Sequence, residues 1–135
     1  MKTIVAVFSV MLFAGCCKVY CDGTDLGLGF QKFKAKDTDT VLFVKYLPGS
    51  AQTKPVDTSR ILYRVAPTDT THSSVVYQIS SGYDWKVLLP SVNRQFVFES
   101  FELTTEKCNC GGKYKAIKSF LLNGVRKEGL FVALE

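Results

Sequence analysis

The sequence predicts an all-β domain, either an antiparallel β-sandwich of Ig-like or Greek-key type or a small barrel, with about seven or eight strands. Short runs rich in β-branched and aromatic residues recur along the chain, as in residues 41–47. The dipeptide Asn123-Gly124 separates two such runs and is typical of a type I′ hairpin turn, in which both central residues have positive φ. No stretch of about ten residues has the apolar period of an amphipathic helix.

The alternation of apolar and polar residues places the individual strands. Predicted strands cover residues 26–35, 41–47, 60–66, 74–80, 83–89, 95–103, 114–122 and 125–134. The alternation shifts phase near Gly29 and again near Ser100, which predicts a bulge at each position. Residues 51–59, which contain Pro55, are polar and predict a loop.

The chain begins with an export segment in residues 1–15. Lys2 precedes an apolar run in residues 3–14, in the order of the charged and apolar regions of a secretory signal. This run is shorter than the roughly 20 residues that a membrane-spanning helix needs. Ala14-Gly15-Cys16 matches the end of a lipobox, where the cysteine thiol receives a diacylglyceryl group and cleavage leaves Cys16 as the acylated first residue.

Two processing routes fit this segment. Lipoprotein-type cleavage before Cys16 would leave an anchor and short tether in residues 16–25 and a single β domain in residues 26–135. General signal-peptidase cleavage after Cys16 would instead release a freely secreted protein. Phe13 stands where a lipobox normally has Leu, Val or Ile, but the rest of the motif favours lipidation of Cys16.

The chain has five cysteines, and setting Cys16 apart leaves Cys17 and Cys21 near the start and Cys108 and Cys110 near the end. An even number in an exported chain predicts two disulfides, although three connectivities are open. Disulfides that link the early cysteines to the late ones would each stabilise the fold by up to about 4–5 kcal/mol in the chain-entropy model. We therefore expect this connectivity. The spacing is not that of a zinc site, and an oxidising compartment disfavours free thiolates.

Charge gives little indication of a nucleic-acid partner. The chain has 17 basic and 12 acidic residues, and loss of Lys2 with the export segment leaves a net charge of about +4. These charges are interspersed without a run of Lys or Arg, so we expect a solvated basic surface. Such a basic surface is compatible with a weak attraction to anionic lipid headgroups beside an anchor.

Several polar residues could in principle support catalysis. His72 is the only histidine, but its neighbours Ser73 and Asp69 are too close in sequence for a typical catalytic triad, and no G-x-S-x-G motif is present. Glu99, Glu102 and Glu106 could supply a carboxylate pair for glycoside hydrolysis, although charges on edge strands and loops explain them more simply.

The remaining candidates are aspartates and aromatic residues. The aspartates lie in turn-like segments, where they could bind calcium or simply form turns; they are Asp22, Asp25, Asp37, Asp39 and Asp69. The aromatic residues could line a binding face, but we expect most of them in the core; they are Tyr46, Tyr63, Tyr77, Tyr83 and Trp85. We therefore predict a non-catalytic protein without a metal or cofactor.

The chain resembles small cell-envelope lipoproteins of unknown function from Bacteroidetes-type bacteria. The likeness spans most of the chain and rests on Ala14-Gly15-Cys16-Cys17, Cys21-Asp22-Gly23, residues 39–44, residues 83–90, and Ile117-Lys118-Ser119-Phe120 followed by Asn123-Gly124. None of these is a catalytic motif, so the resemblance assigns no catalytic residue. It implies an acylated Cys16, an all-β domain, and a place in the bacterial cell envelope.

The resemblance also sets expectations for partners and location. The membrane would be one partner through the lipid anchor, and an unidentified envelope protein or ligand would be another, without nucleic acid. Members exported to the cell surface often have acidic residues after the anchor, whereas Cys17-Lys18-Val19-Tyr20 follows here. This difference favours the periplasmic side of the membrane.

Overall fold

The computed structural model describes residues 21–108 and 111–135, and the statements below concern those residues. They form nine strands and two short 3-10 helices, at Ala35–Thr38 and Pro90–Val92. The strands are β1 (Asp25–Phe30), β2 (Thr40–Tyr46), β3 (Pro55–Leu62), β4 (Val76–Ser80), β5 (Asp84–Leu89), β6 (Arg94–Lys107), β7 (Lys113–Leu122), β8 (Val125–Glu128) and β9 (Phe131–Leu134).

The strands form two sheets, which confirms the predicted all-β fold. The larger sheet has the order β3-β2-β5-β6-β7-β8, with every neighbouring pair antiparallel. It curls into a half-barrel. The smaller sheet has the order β4-β1-β9. The architecture is consistent with a β-sandwich or a small barrel.

The core lies between the two sheets and is rich in aromatic side chains. Leu26 and Leu28 of β1 are fully buried, as expected for alternate residues on one face of a strand. The ring of Phe43 in β2 stacks on Tyr77 of β4, with 3.9 Å between centroids. Phe98 and Phe120 continue this core along β6 and β7, with their ring centroids 6.0 Å apart.

Two irregularities predicted from the sequence are confirmed. Ser100 has a φ of 56°, and the β6–β7 register shifts between Glu99 and Glu102, so β6 is bulged there. Asn123 and Gly124 have φ values of 50° and 78°, as the predicted hairpin turn between β7 and β8 requires.

The prediction of a loop over residues 51–59 is wrong in its second half. Strand β3 begins at Pro55 and ends at Leu62, earlier than the predicted strand at residues 60–66. It is an edge strand of the larger sheet, where polar side chains face solvent and proline is tolerated as the first residue. Its pairing with β2 therefore overrides its low local preference for a strand.

The two ends of the domain also differ from prediction. β1 keeps a regular register through Gly29, without the predicted bulge, and it ends at Phe30, with Lys32 at a φ of 62°. The predicted strand over residues 125–134 is two strands separated near Gly129, which has a φ of 105°. β8 remains in the larger sheet, whereas β9 pairs with β1 of the smaller sheet in parallel.

Candidate functional site

The most informative site is the junction where the chain enters the fold. Cys21 forms a disulfide with Cys108, with the two Cα atoms 5.9 Å apart and a sequence separation of 87. This bond joins the N-terminal segment to the connection after β6, as one of the predicted start-to-end pairings requires. Cys16, Cys17 and Cys110 lie outside the described residues, so their predicted roles stay predictions.

The residues after Cys21 are held against β7 by backbone contacts. The Gly23 N–H donates to the Lys115 carbonyl at 3.2 Å, and the Ile117 N–H donates to the Gly23 carbonyl at 2.8 Å. These bonds form an isolated parallel bridge between Gly23 and Ala116. The same segment continues into β1, so it connects the central strand of the smaller sheet to the larger sheet.

Glycine is needed at this junction because the two backbones approach closely. A Cβ on Gly23 would lie 2.7 Å from the Ala116 Cβ and 2.9 Å from the Ala116 Cα. The preceding residue, Asp22, accepts hydrogen bonds from the Thr24 N–H and hydroxyl at 3.0 and 2.8 Å. These bonds lower the pKa of the Asp22 carboxyl, with the backbone donor the larger cause.

A second candidate is a cavity of about 340 Å³ beside the β2–β3 loop. Asp84 is buried in its wall at 4% exposure, and its Oδ2 accepts a hydrogen bond from the Gly49 N–H at 3.0 Å. Glu99 adds a second, partly exposed carboxylate. The cavity is lined by Pro48, Gly49, Ala51, Ser81, Asp84, Glu99, Ser100 and Phe101.

The loop that bounds this cavity has an unusual backbone. Ala51 and Gln52 have φ values of 50° and 54°, a region that non-glycine residues seldom adopt. The Ser50 hydroxyl oxygen and the Gln52 amide nitrogen are buried without a protein hydrogen-bond partner. In the cavity wall itself, the carboxylates of Asp84 and Glu99 and the serine residues Ser81 and Ser100 offer hydrogen-bonding groups to a small ligand.

The three glutamates considered for hydrolysis are not brought together in this cavity. Glu99 lines it, but Glu102 instead pairs with Arg126 at 2.7 Å and accepts a hydrogen bond from the buried Ser119 hydroxyl at 3.1 Å. The Arg126 hydrogen bond, followed by that of Ser119, lowers the pKa of Glu102. Glu106 is exposed and lies opposite Tyr114 on the β6–β7 ladder.

The residues around His72 have structural partners of their own. The Ser73 hydroxyl is hydrogen-bonded to that of Thr38 at 2.7 Å. Asp69 accepts hydrogen bonds from the Thr71 hydroxyl and N–H at 2.7 and 2.8 Å, and both bonds lower its pKa. His72 is exposed and forms an isolated bridge with Lys34. None of these contacts links Ser73, His72 and Asp69 as a triad would require.

Other aspartates likewise stabilise local structure. Asp37 accepts the Lys34 N–H at 2.8 Å, and Asp39 accepts a hydrogen bond from the Ser91 hydroxyl. Among residues 21–108 and 111–135, no three His, Cys, Asp or Glu side chains are grouped as they would be around a metal ion.

Most of the five aromatic residues considered as a binding face are buried or pack against the core, as expected. Tyr46 and Trp85 are buried, whereas Tyr63 is 43% exposed. The Trp85 indole N–H donates to the Ser80 carbonyl at 2.8 Å, and the Lys45 ammonium lies 4.7 Å from the centroid of the Tyr83 ring. The aromatic side chains therefore mainly stabilise the fold.

No helix in the described part of the chain has both the length and the apolar character needed to cross a bilayer. Comparisons with protein-family models, curated proteins and solved structures found no match to this chain.

Proposed function

We propose that this protein is a lipid-anchored component of a bacterial cell envelope whose β domain has a non-catalytic binding or structural role. Removal of residues 1–15 would leave Cys16 as an acylated N-terminus. Two or three acyl chains would hold the protein on the membrane, since each buried methylene contributes about 0.8 kcal/mol. The periplasmic side is the favoured location.

The Cys21–Cys108 disulfide is the observation that supports this proposal most strongly. Stable disulfides are typical of proteins outside the cytoplasm, in agreement with an export signal at the start of the chain. The bond also begins the folded domain five residues after Cys16. A short tether of this kind suits a domain held close to a membrane. The Ala14-Gly15-Cys16 motif adds the attachment residue.

The binding part of the proposal centres on the cavity beside the β2–β3 loop. The carboxylates of Asp84 and Glu99 in its wall suit a small ligand that donates hydrogen bonds. The resemblance to envelope lipoproteins agrees with an unidentified ligand or envelope protein as the partner.

Fractionation of cells that produce the full chain tests the anchor. We expect the wild type and a Cys17→Ser variant in the membrane fraction and in the detergent phase after phase separation. A Cys16→Ser variant should move to the aqueous phase, because it lacks the thiol that carries the lipid. Wild-type protein found in the culture medium and the aqueous phase would support the alternative, a secreted β-sandwich protein cleaved after Cys16.

A further inference from the structure

Three exposed lysines lie on one face of the β6–β7 ladder, at the end next to the connection between the two strands. Lys107 is paired directly with Lys113, and Lys115 is paired with Thr105 two positions further along β7. Directly paired residues, and residues two apart on a strand, project from the same face of a sheet. Lys107, Lys113 and Lys115 therefore form a single surface, here called the lysine face.

The lysine face has no carboxylate of its own within these pairs. Glu106 and its partner Tyr114 alternate with the lysines and so point to the opposite face. The Lys115 ammonium donates to the neutral Thr105 hydroxyl at 2.9 Å. Like charges directly across a ladder destabilise it, so the direct pairing of Lys107 with Lys113 favours an anionic partner.

The N-terminal segment leads to this same end of the domain. Because Gly23 is bridged to Ala116 in parallel, the chain before Gly23 runs back along β7 toward Tyr114 and Lys113. The disulfide to Cys108, the residue after Lys107, fixes Cys21 at this end. Cys21 lies five positions after Cys16, and an extended chain over five positions spans at most about 18 Å.

We propose that the lysine face lies on the anionic phospholipid headgroups of the membrane in which Cys16 is anchored. The inference rests on the proposed anchor, which would bring Lys107, Lys113 and Lys115 within reach of the bilayer surface. Lysines near such a surface are attracted to anionic lipid at moderate salt. The domain would then stand with the β6–β7 connection toward the membrane and the Arg94 end of β6 away from it.

Lysine acetylation of the full processed protein tests this orientation. The protein would be reconstituted into vesicles of phosphatidylcholine alone or with about one third phosphatidylglycerol, then briefly labelled and analysed by peptide mass spectrometry. We expect Lys107, Lys113 and Lys115 to react several-fold more slowly only in the vesicles with phosphatidylglycerol, and high salt should remove the protection. The exposed Lys34 and Lys127 serve as internal controls and should react equally in both.

The outcomes separate the two proposals. Equal reactivity of the three lysines in both vesicles, on protein whose N-terminal peptide has acyl chains, would overturn the orientation alone. An N-terminal peptide without acyl chains would overturn the anchor and the orientation together. Protease digestion on the same vesicles gives a second readout, the lipid-dependent protection of peptides that contain Tyr114. A triple variant with Lys107→Gln, Lys113→Gln and Lys115→Gln should lose this protection. A variant with Lys34→Gln and Lys127→Gln should retain it.

Discussion

Cys21 and Cys108 are bonded across a sequence separation of 87 residues, with their Cα atoms 5.9 Å apart. The disulfide lies where the chain enters the fold and where β6 ends. It therefore links the proposed membrane tether directly to the long β6–β7 hairpin. This single contact places the first described residue beside the end of β6.

Removal of this bond should lower stability substantially. For a loop of this length the chain-entropy model gives up to about 4.5 kcal/mol. We expect a Cys21→Ser, Cys108→Ser variant to unfold at clearly lower denaturant concentration, with a free energy of unfolding reduced by about 2–4.5 kcal/mol. A change below about 0.5 kcal/mol, well under that range, would contradict the assignment of this bond as a main constraint on the fold.

Alanine at Gly23 should weaken the junction between the tether and β7. Its Cβ would meet the Cα of Ala116 at 2.9 Å, and a backbone atom in a strand cannot move away cheaply. We expect Gly23→Ala to reduce the free energy of unfolding by about 1–3 kcal/mol. Gly82→Ala is the control, because the nearest atom to a Cβ there is 3.7 Å away. Equal stability of the two variants would argue against the close contact.

Alanine at Gly29 should lower the free energy of unfolding less than alanine at Gly23, because the side chain that obstructs it can move. A Cβ there would lie 2.7 Å from the Cζ of Phe131, but that ring is 55% exposed and can rotate outward. We expect Gly29→Ala to reduce the free energy of unfolding by about 1 kcal/mol or less.

The same contact predicts coupling between the two residues. In a Phe131→Ala background, Gly29→Ala should become neutral or stabilising, since glycine weakens a strand interior. Thermal or denaturant unfolding of the four proteins in this double-mutant cycle checks the coupling. Additive effects would show that Phe131 does not cover Gly29.

Glu102 should make stability depend on pH in the acidic range. Hydrogen bonds from Arg126 and Ser119 hold its pKa below the usual range in the folded protein. Its contribution is therefore fully present above the unfolded-state pKa of about 4.3, and it is lost as pH falls through the lower folded-state pKa. The stability difference between wild type and Glu102→Gln should be constant from about pH 7 to 5 and shrink below about pH 4.

Unfolding curves at several pH values provide the measurement. Arg126→Gln removes the donor that lowers the pKa of Glu102 most and should reduce the pH dependence, while the hydrogen bond from Ser119 remains. A difference between wild type and Glu102→Gln that grows on acidification would contradict the assigned direction of the pKa change.

Local sequence patterns predicted the features that depend on neighbouring residues. The Asn123-Gly124 turn follows from backbone preferences alone, and the bulge at Ser100 follows from a phase shift in alternation. The first part of β3 was predicted as a loop because its strand conformation depends on pairing with β2, while its own residues are polar and include Pro55. The separation of β9 from β8 similarly depends on pairing with β1, more than 100 residues earlier in the chain.

The candidate site was only partly predictable, because its contacts join residues that are distant in the chain. The even number of cysteines predicted disulfides and the loop-closure argument favoured start-to-end bonds, but only the fold brings Cys21 to Cys108. Nothing in the sequence around Gly23 indicated its contact with Ala116, since the two residues are distant in the chain. The cavity at Asp84 likewise depends on the β2–β3 loop packing against β5 and β6.

The mass of the mature N-terminal peptide, from protein purified from both the cells and the culture medium, tests the central claim most directly. The account predicts a peptide that begins at Cys16 and has two or three acyl chains. A peptide that begins at an unmodified Cys17 would contradict the lipid anchor and establish the secreted form instead.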